Sequence, residues 1–450
     1  MVYSIIQKSQ IEDVNRLDAE YYQPEYFIDF TKGSWRPVGD FVAVCQYGIS
    51  QAMNDKRIGY PIFKMDDIQN AFLFNDNVRY ADINEDIFNS FKLKKNDVLF
   101  NRVNSEEFVG RTGIFKLDTK AVFASYLIKL RLTPQILPDY LNMFLNSSFG
   151  IKQIKKFRRR AVNQANVNAE ELKQIKIAVL PLDSQKKIQL LCDESWNSFE
   201  QSKILYSQAE VLLLEELGLR DFKPDEDLSY VVNLNDVKSA HRMDAEYFQP
   251  KYNKLLEKLR LKKAKPLVVF ISTYSTGFPF ESYNYKNEGI PLIRINNIRK
   301  GYLDLSDVAY LAEEDYLLAP QDITKPGDIV LSMSGTIGAT AIIPDDIPKS
   351  SINQRILRFT PKGIDKYYLT LVLNTIIGEY QLARIGTGGV QTNISYKDIK
   401  EILIPPIEDI QQKIADLVHR SHEARTKAKE LLEEAKQKVE KMILTECDNR

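Results

Sequence analysis

Arg16-Leu17-Asp18-Ala19-Glu20-Tyr21-Tyr22-Gln23-Pro24-Glu25-Tyr26 occurs twice in this chain, the second time as Arg242-Met243-Asp244-Ala245-Glu246-Tyr247-Phe248-Gln249-Pro250-Lys251-Tyr252. Eight of the eleven positions are identical at an offset of 226, which chance does not plausibly produce. Working outward, Pro61-Ile62-Phe63-Lys64-Met65-Asp66-Asp67-Ile68 answers to Pro291-Leu292-Ile293-Arg294-Ile295-Asn296-Asn297-Ile298. Asn96-Asp97-Val98-Leu99 answers to Gly327-Asp328-Ile329-Val330, and Val109-Gly110-Arg111-Thr112 to Ile337-Gly338-Ala339-Thr340. Gln164-Ala165-Asn166-Val167 matches Gln391-Thr392-Asn393-Ile394, and Gln185-Lys186-Lys187-Ile188 matches Gln411-Gln412-Lys413-Ile414. The offset stays between 226 and 231. A period this long exceeds any solenoid unit and marks a duplicated domain.

Composition narrows the function classes. In 450 residues, Lys+Arg and Asp+Glu are both 61, so net charge does not single out a polyanionic partner. Cys45, Cys192 and Cys447 lack CxxC spacing and there are 3 His, which supports neither a disulfide framework nor a zinc site. No apolar run approaches the ~18 residues of a membrane span and no signal peptide opens the chain, so a cytoplasmic protein without membrane contact is expected.

Taken in order, residues 3–12 alternate weakly, as a strand or a docking segment would. Pro24 disfavours helix at Gln23. Residues 36–134 carry short β-rich runs (41–44, 98–100, 128–132) between turn residues. A helix is expected over 137–149, then a block with six basic residues between Lys152 and Arg160 and no acid from Gly150 to Ala169. Such an unbalanced block attracts phosphate, although a solvated helix face is the plainer alternative. A strand at 174–181 and a long helix over 183–218 follow. The second half repeats the plan: a basic helix at 254–265, β-rich 267–359, a helix at 367–377, the Gly386-Thr387-Gly388-Gly389 loop, a strand at 401–404, and a closing helix at 409–446.

Both long helices admit a heptad count. With Ile188 at a, that row is Ile188, Ser195, Ser202 and Ala209, and Leu191, Ser198, Leu205 and Leu212 stand at d. In the last helix the a row is Ile414, Ser421, Ala428 and Ala435, with Leu417, Ala424 and Leu431 at d. Small residues in equivalent rows suit two closely approaching backbones. The two helices are expected to pack antiparallel, as rods of roughly 50 Å at ~1.5 Å per residue; each covering only its own domain is the alternative.

Enzyme signatures fail. Gly335-Thr336-Ile337-Gly338 lacks the Lys of a P-loop. Ile404-Pro405-Pro406-Ile407 lacks the polar and aromatic flanks of an amino-methylation motif. Glu434-Ala435-Lys436 has a nuclease-like spacing but lies in the coiled-coil helix. The histidines form no acid–base constellation.

The duplicated halves, the Asp-Ala-Glu-Tyr phrase before each, Gly386-Thr387-Gly388-Gly389-Val390-Gln391-Thr392-Asn393-Ile394-Ser395, and the Gln-Gln-Lys-Ile approach to the last helix together resemble the specificity subunits of type I restriction-modification systems. The resemblance covers nearly the whole chain. It implies an α+β fold: two similar target-recognition domains separated by two long antiparallel coiled-coil helices, related by a pseudo-two-fold duplication. The expected divisions are 1–182 and 221–407 for the two domains with their phrases, and 183–220 and 408–450 for the spacer helices, with recognition regions at 36–181 and 267–406. It further implies a non-catalytic subunit that reads a bipartite double-stranded DNA target, with the helices setting the gap. Two methyltransferase subunits using S-adenosylmethionine are the implied partners, with restriction subunits using ATP and magnesium; none of these small molecules is expected on this chain.

Candidate backbone contacts are Lys152, Lys155, Lys156, Arg158, Arg159 and Arg160. Candidate base or groove contacts are Arg102, Arg111, Asn163 and Gln164 in the first half, and Arg384, Gln391 and Asn393 in the second, since Arg, Asn and Gln match base edges. The first half departs from the pattern by having Arg158-Arg159-Arg160-Ala161-Val162 where the second has Ile385-Gly386-Thr387-Gly388-Gly389. Two rival readings stay open: the recognition subunit of a two-subunit restriction enzyme, and a coiled-coil scaffold that reads no sequence.

Overall fold

The computed structural model describes residues 5–7, 16–76, 78–161, 164–223, 229–386 and 393–448. The chain forms two compact units: residues 1–200 with 425–450, and residues 201–424. Each unit therefore contains an α+β domain and a portion of each long helix.

In the first unit, alternating apolar strands build a six-stranded sheet. Its order is Val42–Tyr47, Leu127–Leu132, Val98–Asn101, Thr112–Ile114, Phe72–Leu73, Ile68–Gln69. A four-stranded sheet has the order Val122–Phe123, Tyr60–Phe63, Arg79–Ala81, Met53–Asn54. The second unit repeats the central register: Lys129 faces Leu99 in the first copy as Arg358 faces Val330 in the second. Its two four-stranded sheets run Ile271–Ser275, Ile356–Pro361, Ile329–Ser332, Thr340–Ile342 and Ala309–Leu311, Ile290–Ile293, Ser350–Ile352, Ile323–Thr324.

The single helix expected at 137–149 is two, Pro138–Leu145 and Ser148–Phe157, as are Lys366–Asn374 and Ile376–Ile385 in the second copy. Ser147 and Thr375 have extended backbones and break the rod. Gly150 and Gly378 then allow the next helix to begin at once: a Cβ there would stand 2.3 Å from the Phe144 carbonyl oxygen and 2.2 Å from that of Leu373. Most of the segment at 3–12 lies outside the described residues.

The central helix Leu182–Glu216 has 35 residues and the terminal helix Glu408–Asp448 has 41. Within the first unit, Ser195 Oγ donates to the Ala428 carbonyl at 2.7 Å, and Ser184 shares a cavity with Lys441 and Thr445, so the helices run antiparallel. Within the second unit, Ser421 Oγ donates to the Ser202 carbonyl at 2.7 Å, and Ala209 shares a core with Ile414. The two serine bonds are equivalent under the offset of 226. A hydroxyl reaches the facing carbonyl only where side chains are small, which gives the Ser/Ala row its physical reason.

All eight residues of that row, Ile188, Ser195, Ser202, Ala209, Ile414, Ser421, Ala428 and Ala435, are buried. The second row expected with it holds only at its centre, where Ser198 and Leu205 are buried. Leu191, Leu212, Leu417 and Leu431 are only half-buried, whereas Cys192, Phe199, Leu213, Val418, Leu432 and Val439, each four places after a member of the buried row, are closed off. The stripe turns toward the α+β domains, which compete with the partner helix for burial. Trp196 and Phe199 pack against Phe72 and Phe74 at 5.2–6.2 Å between ring centroids. Full burial of a ring such as Phe199 contributes roughly 2–3 kcal/mol.

Candidate nucleic-acid interface

Each repeated phrase grips the end of a helix. Arg16 Nη1 donates to the Phe157 carbonyl at 2.8 Å and Nη2 to that of Arg158 at 3.3 Å. These are carbonyls that a helix C-terminus leaves without partners. Asp18 holds the guanidinium on two sides, at 2.8 and 2.5 Å, and Tyr22 Oη donates to the Arg16 carbonyl. That bond from Arg16 keeps the Asp18 carboxyl below its ordinary range. The Tyr21 ring lies between two cations, Arg16 at 4.8 Å and Lys156 at 4.6 Å.

The second copy repeats the geometry. Arg242 donates to the carbonyls of Arg384, Ile385 and Gly386 at 3.5, 3.2 and 3.3 Å, and is held by Asp244 at 2.7 and 2.8 Å. The Asp244 carboxyl is likewise lowered by its bond from Arg242. The Tyr247 ring sits between Arg242 at 4.6 Å and Arg384 at 4.5 Å.

From the gripped helix end in the first unit the chain passes into the strand Arg159–Ala161. It pairs with Gln164–Asn166, which pairs in turn with Val103–Asn104. Gln164 is exposed on this edge. Arg102 leads into it, with Nε on the Ser125 carbonyl at 2.9 Å and its guanidinium over Tyr47. Arg111 lies over Phe108 at 3.9 Å. In the second unit Asn393 bridges to Ser334 and accepts a bond from Arg355 Nη1 at 2.7 Å. Asn163, Gln391 and most of the Gly386-Thr387-Gly388-Gly389 loop lie outside the described residues.

The basic block is less unbalanced in space than in sequence, which corrects that reading. Arg158 and Arg160 both reach Glu106, at 3.3 and 2.9 Å, and Arg159 reaches Glu171 at 2.6 Å. Both acids lie outside the block in sequence and arrive through the strand pairing and the helix Ala169–Gln174. Lys156 is half-buried, and burial, with Lys176 beside it, pushes its ammonium down. Arg384 donates to the Tyr247 carbonyl at 3.1 Å, so it serves the grip on the helix end. Lys152 and Lys155 are exposed and make no hydrogen bond or ion pair among the described residues. They supply the block's uncompensated charge, since the exposed Arg159 and Arg160 are paired with acids.

Sequence reasoning missed Arg355, which takes the left-handed backbone (φ 67°) at the turn before Ile356–Pro361. By strand register its counterpart in the first copy is Tyr126, which is 45% exposed. Arg102 in the first copy and Arg355 in the second thus come to this edge from different places in the sequence. Tyr274 stacked on Tyr396 at 3.7 Å was missed as well. Among the described residues no group of three His, Cys, Asp or Glu stands close enough to hold a metal, and no helix is long and apolar enough to cross a membrane. What the edge offers is amides, hydroxyls and cations on rigid strands: hydrogen-bonding chemistry.

The family model described as type I restriction modification DNA specificity domain matches twice, at residues 36–190 and 273–437. The MjaX type I restriction enzyme specificity subunit of Methanocaldococcus jannaschii is 25% identical over 424 residues, 91% of this chain and 92% of that protein. The EcoKI specificity subunit of Escherichia coli is 26% identical over 144 residues, 31% of each chain. Among solved structures, the S subunit of a type I restriction-modification system from M. genitalium aligns over 92% of this chain and 98% of that one. Its identity is 14% and its TM-score 0.38.

Proposed function

This chain belongs to the type I restriction modification DNA specificity family and is a DNA sequence-recognition subunit; on that footing we propose that each unit reads one part of a bipartite duplex target. The observation that carries the proposal is the repetition of one gripped helix end and one sheet register in both copies. Each copy has its own gripped helix end, its own arginine at the edge and its own core. Phosphate contacts come from Lys152 and Lys155, and base contacts from Gln164 and Asn393 with the arginines beside them. The long helices set the gap. The uninterrupted 35 residues of the central helix support this role, since bipartite reading needs a stiff spacer matched to the ~34 Å repeat of DNA.

In this proposal the chain is non-catalytic and works in the cytoplasm. Methylation belongs to two methyltransferase subunits using S-adenosylmethionine, and cleavage to restriction subunits using ATP and magnesium. The test is selection of duplexes from a random library by the chain purified with its methyltransferase partner. Two short fixed sequences separated by a constant unspecified gap are expected, with affinity that falls as salt rises yet survives random competitor DNA. A single contiguous sequence contradicts the two-reader proposal. No preference at all leaves a scaffold.

A further inference from the structure

We infer that the repeated phrase is a positioning socket: Arg16 and Arg242 fix where each domain's reading segment leaves its helix, without touching DNA. The inference rests on the two-reader proposal above.

Three observations carry it. First, every bond that the two arginines make to the helix ends goes to a main-chain carbonyl. Those carbonyls belong to Phe157 and Arg158 in one copy and to Arg384, Ile385 and Gly386 in the other, so the grip ignores side-chain identity. Second, the reading segments beyond it differ completely: Arg159-Arg160-Ala161 in one copy, Thr387-Gly388-Gly389 in the other. The phrase that grips the helix ends before them is eight parts in eleven the same. A holder kept constant while the held segment varies is what an interchangeable reader requires. Third, the grip is pre-set. The carboxylates of Asp18 and Asp244 orient each guanidinium from two residues away, and a tyrosine ring backs it.

A helix end needs no such device for stability, because water or one lysine satisfies orphan carbonyls. A planar fork spanning two or three carbonyls fixes direction as well, which a lysine, with its single rotatable ammonium, does not. Base readout depends on direction, since bidentate contacts tolerate little displacement.

The test uses Arg16→Lys and Arg242→Lys in the full chain, each purified with the methyltransferase partner. Affinities are measured for the cognate duplex and for duplexes with one base changed in either part. Each variant is expected to lose about tenfold in discrimination at one part of the target, a different part for each variant, with the other part read as in the wild type. Asp18→Asn, which keeps the arginine but frees it, is expected to lose less at the same part as Arg16→Lys, and replaces that variant if it does not fold. Lower melting temperatures with unchanged discrimination, or equal loss at both parts, overturn the inference. A wild-type complex without bipartite preference refutes the two-reader proposal instead, before any variant is compared.

Discussion

Asp97 and Asp328 hold the same place in the two copies and are neutralised differently. Both are 1% exposed, and each accepts a backbone N–H three residues earlier, from Lys94 at 2.8 Å and Lys325 at 2.9 Å. The cation for Asp97 is Arg131, bidentate at 2.8 and 2.7 Å; that for Asp328 is Arg358 at 3.0 Å, helped by Thr360 at 2.6 Å. In strand register Arg358 corresponds to Lys129 and Thr360 to Arg131. Two positions along a strand is the same face, so the partner moved while the requirement stayed. A buried carboxylate demands a cation, and duplication preserves that demand more faithfully than it preserves the residue meeting it. Lys129, whose ammonium donates to the Lys92 carbonyl and not to the carboxylate, is pushed down to about 8, chiefly by burial and against the pull of Asp97.

The largest effect that can break this comparison comes from Arg358→Met. It leaves Asp328 buried without a cation and is expected to destabilise the second unit by about 3–5 kcal/mol. Arg131→Met is expected to cost less than half as much, because Arg131 is 30% exposed and Lys129 stands beside the same carboxylate. Denaturant unfolding of the two variants measures both, and equal losses would show that the copies are not differently built.

Next in size, Phe199→Ala removes a ring shared by the helix and the first domain and is expected to cost about 3 kcal/mol. Ser195→Ala loses one interhelical hydrogen bond, about 1 kcal/mol. Thermal melts that ranked the two in the opposite order would mean that hydroxyl–carbonyl contacts, rather than the aromatic row, hold the helices.

A smaller effect separates Asp67 from its counterpart Asn297. Asp67 is buried, and burial raises its carboxyl to about 6 against the opposing bond from the Lys64 backbone N–H. The folded state therefore binds this proton more tightly than the unfolded one. Stability of the first unit should fall as pH rises from about 4 to about 6, and Asp67→Asn should recover about 1 kcal/mol at pH 7. Asn297 already donates to the carbonyls of Asp304 and Asp307, and the second unit gains no such slope from this position. Stability curves against pH for the wild type and Asp67→Asn decide the point, and an unchanged curve refutes it.

The smallest effect sharpens the division between accessible and compensated charge. Lys152→Ala with Lys155→Ala should reduce the slope of log affinity against log salt by about 2 and leave base preference intact. Arg159→Ala, whose partner is Glu171, should change it less. Titrations at several salt concentrations compare them.

The duplication, the strands at 98–100 and 128–132, and the buried Ser/Ala row were legible because each depends on residues close in sequence or on a fixed period. What stayed hidden depends on long-range pairing. Glu106 and Glu171 reach the arginine block only after the strands pair, so no local count of charges could find them. The second helical row was misjudged because a heptad count assumes one neighbour, whereas Cys192, Phe199 and Leu432 face a domain as well as a helix. Arg355 was invisible because its role lies in a left-handed turn that its residue type does not announce.

The claim that two copies read independently is tested most directly by mapping methylated bases across the genome of a strain carrying this chain with its partners. The map is made once with the wild type and once with residues 36–181 exchanged for those of another family member. The account predicts two-part sites with one constant gap, and an exchange that changes one part while preserving the other. Sites in which both parts change together would contradict it.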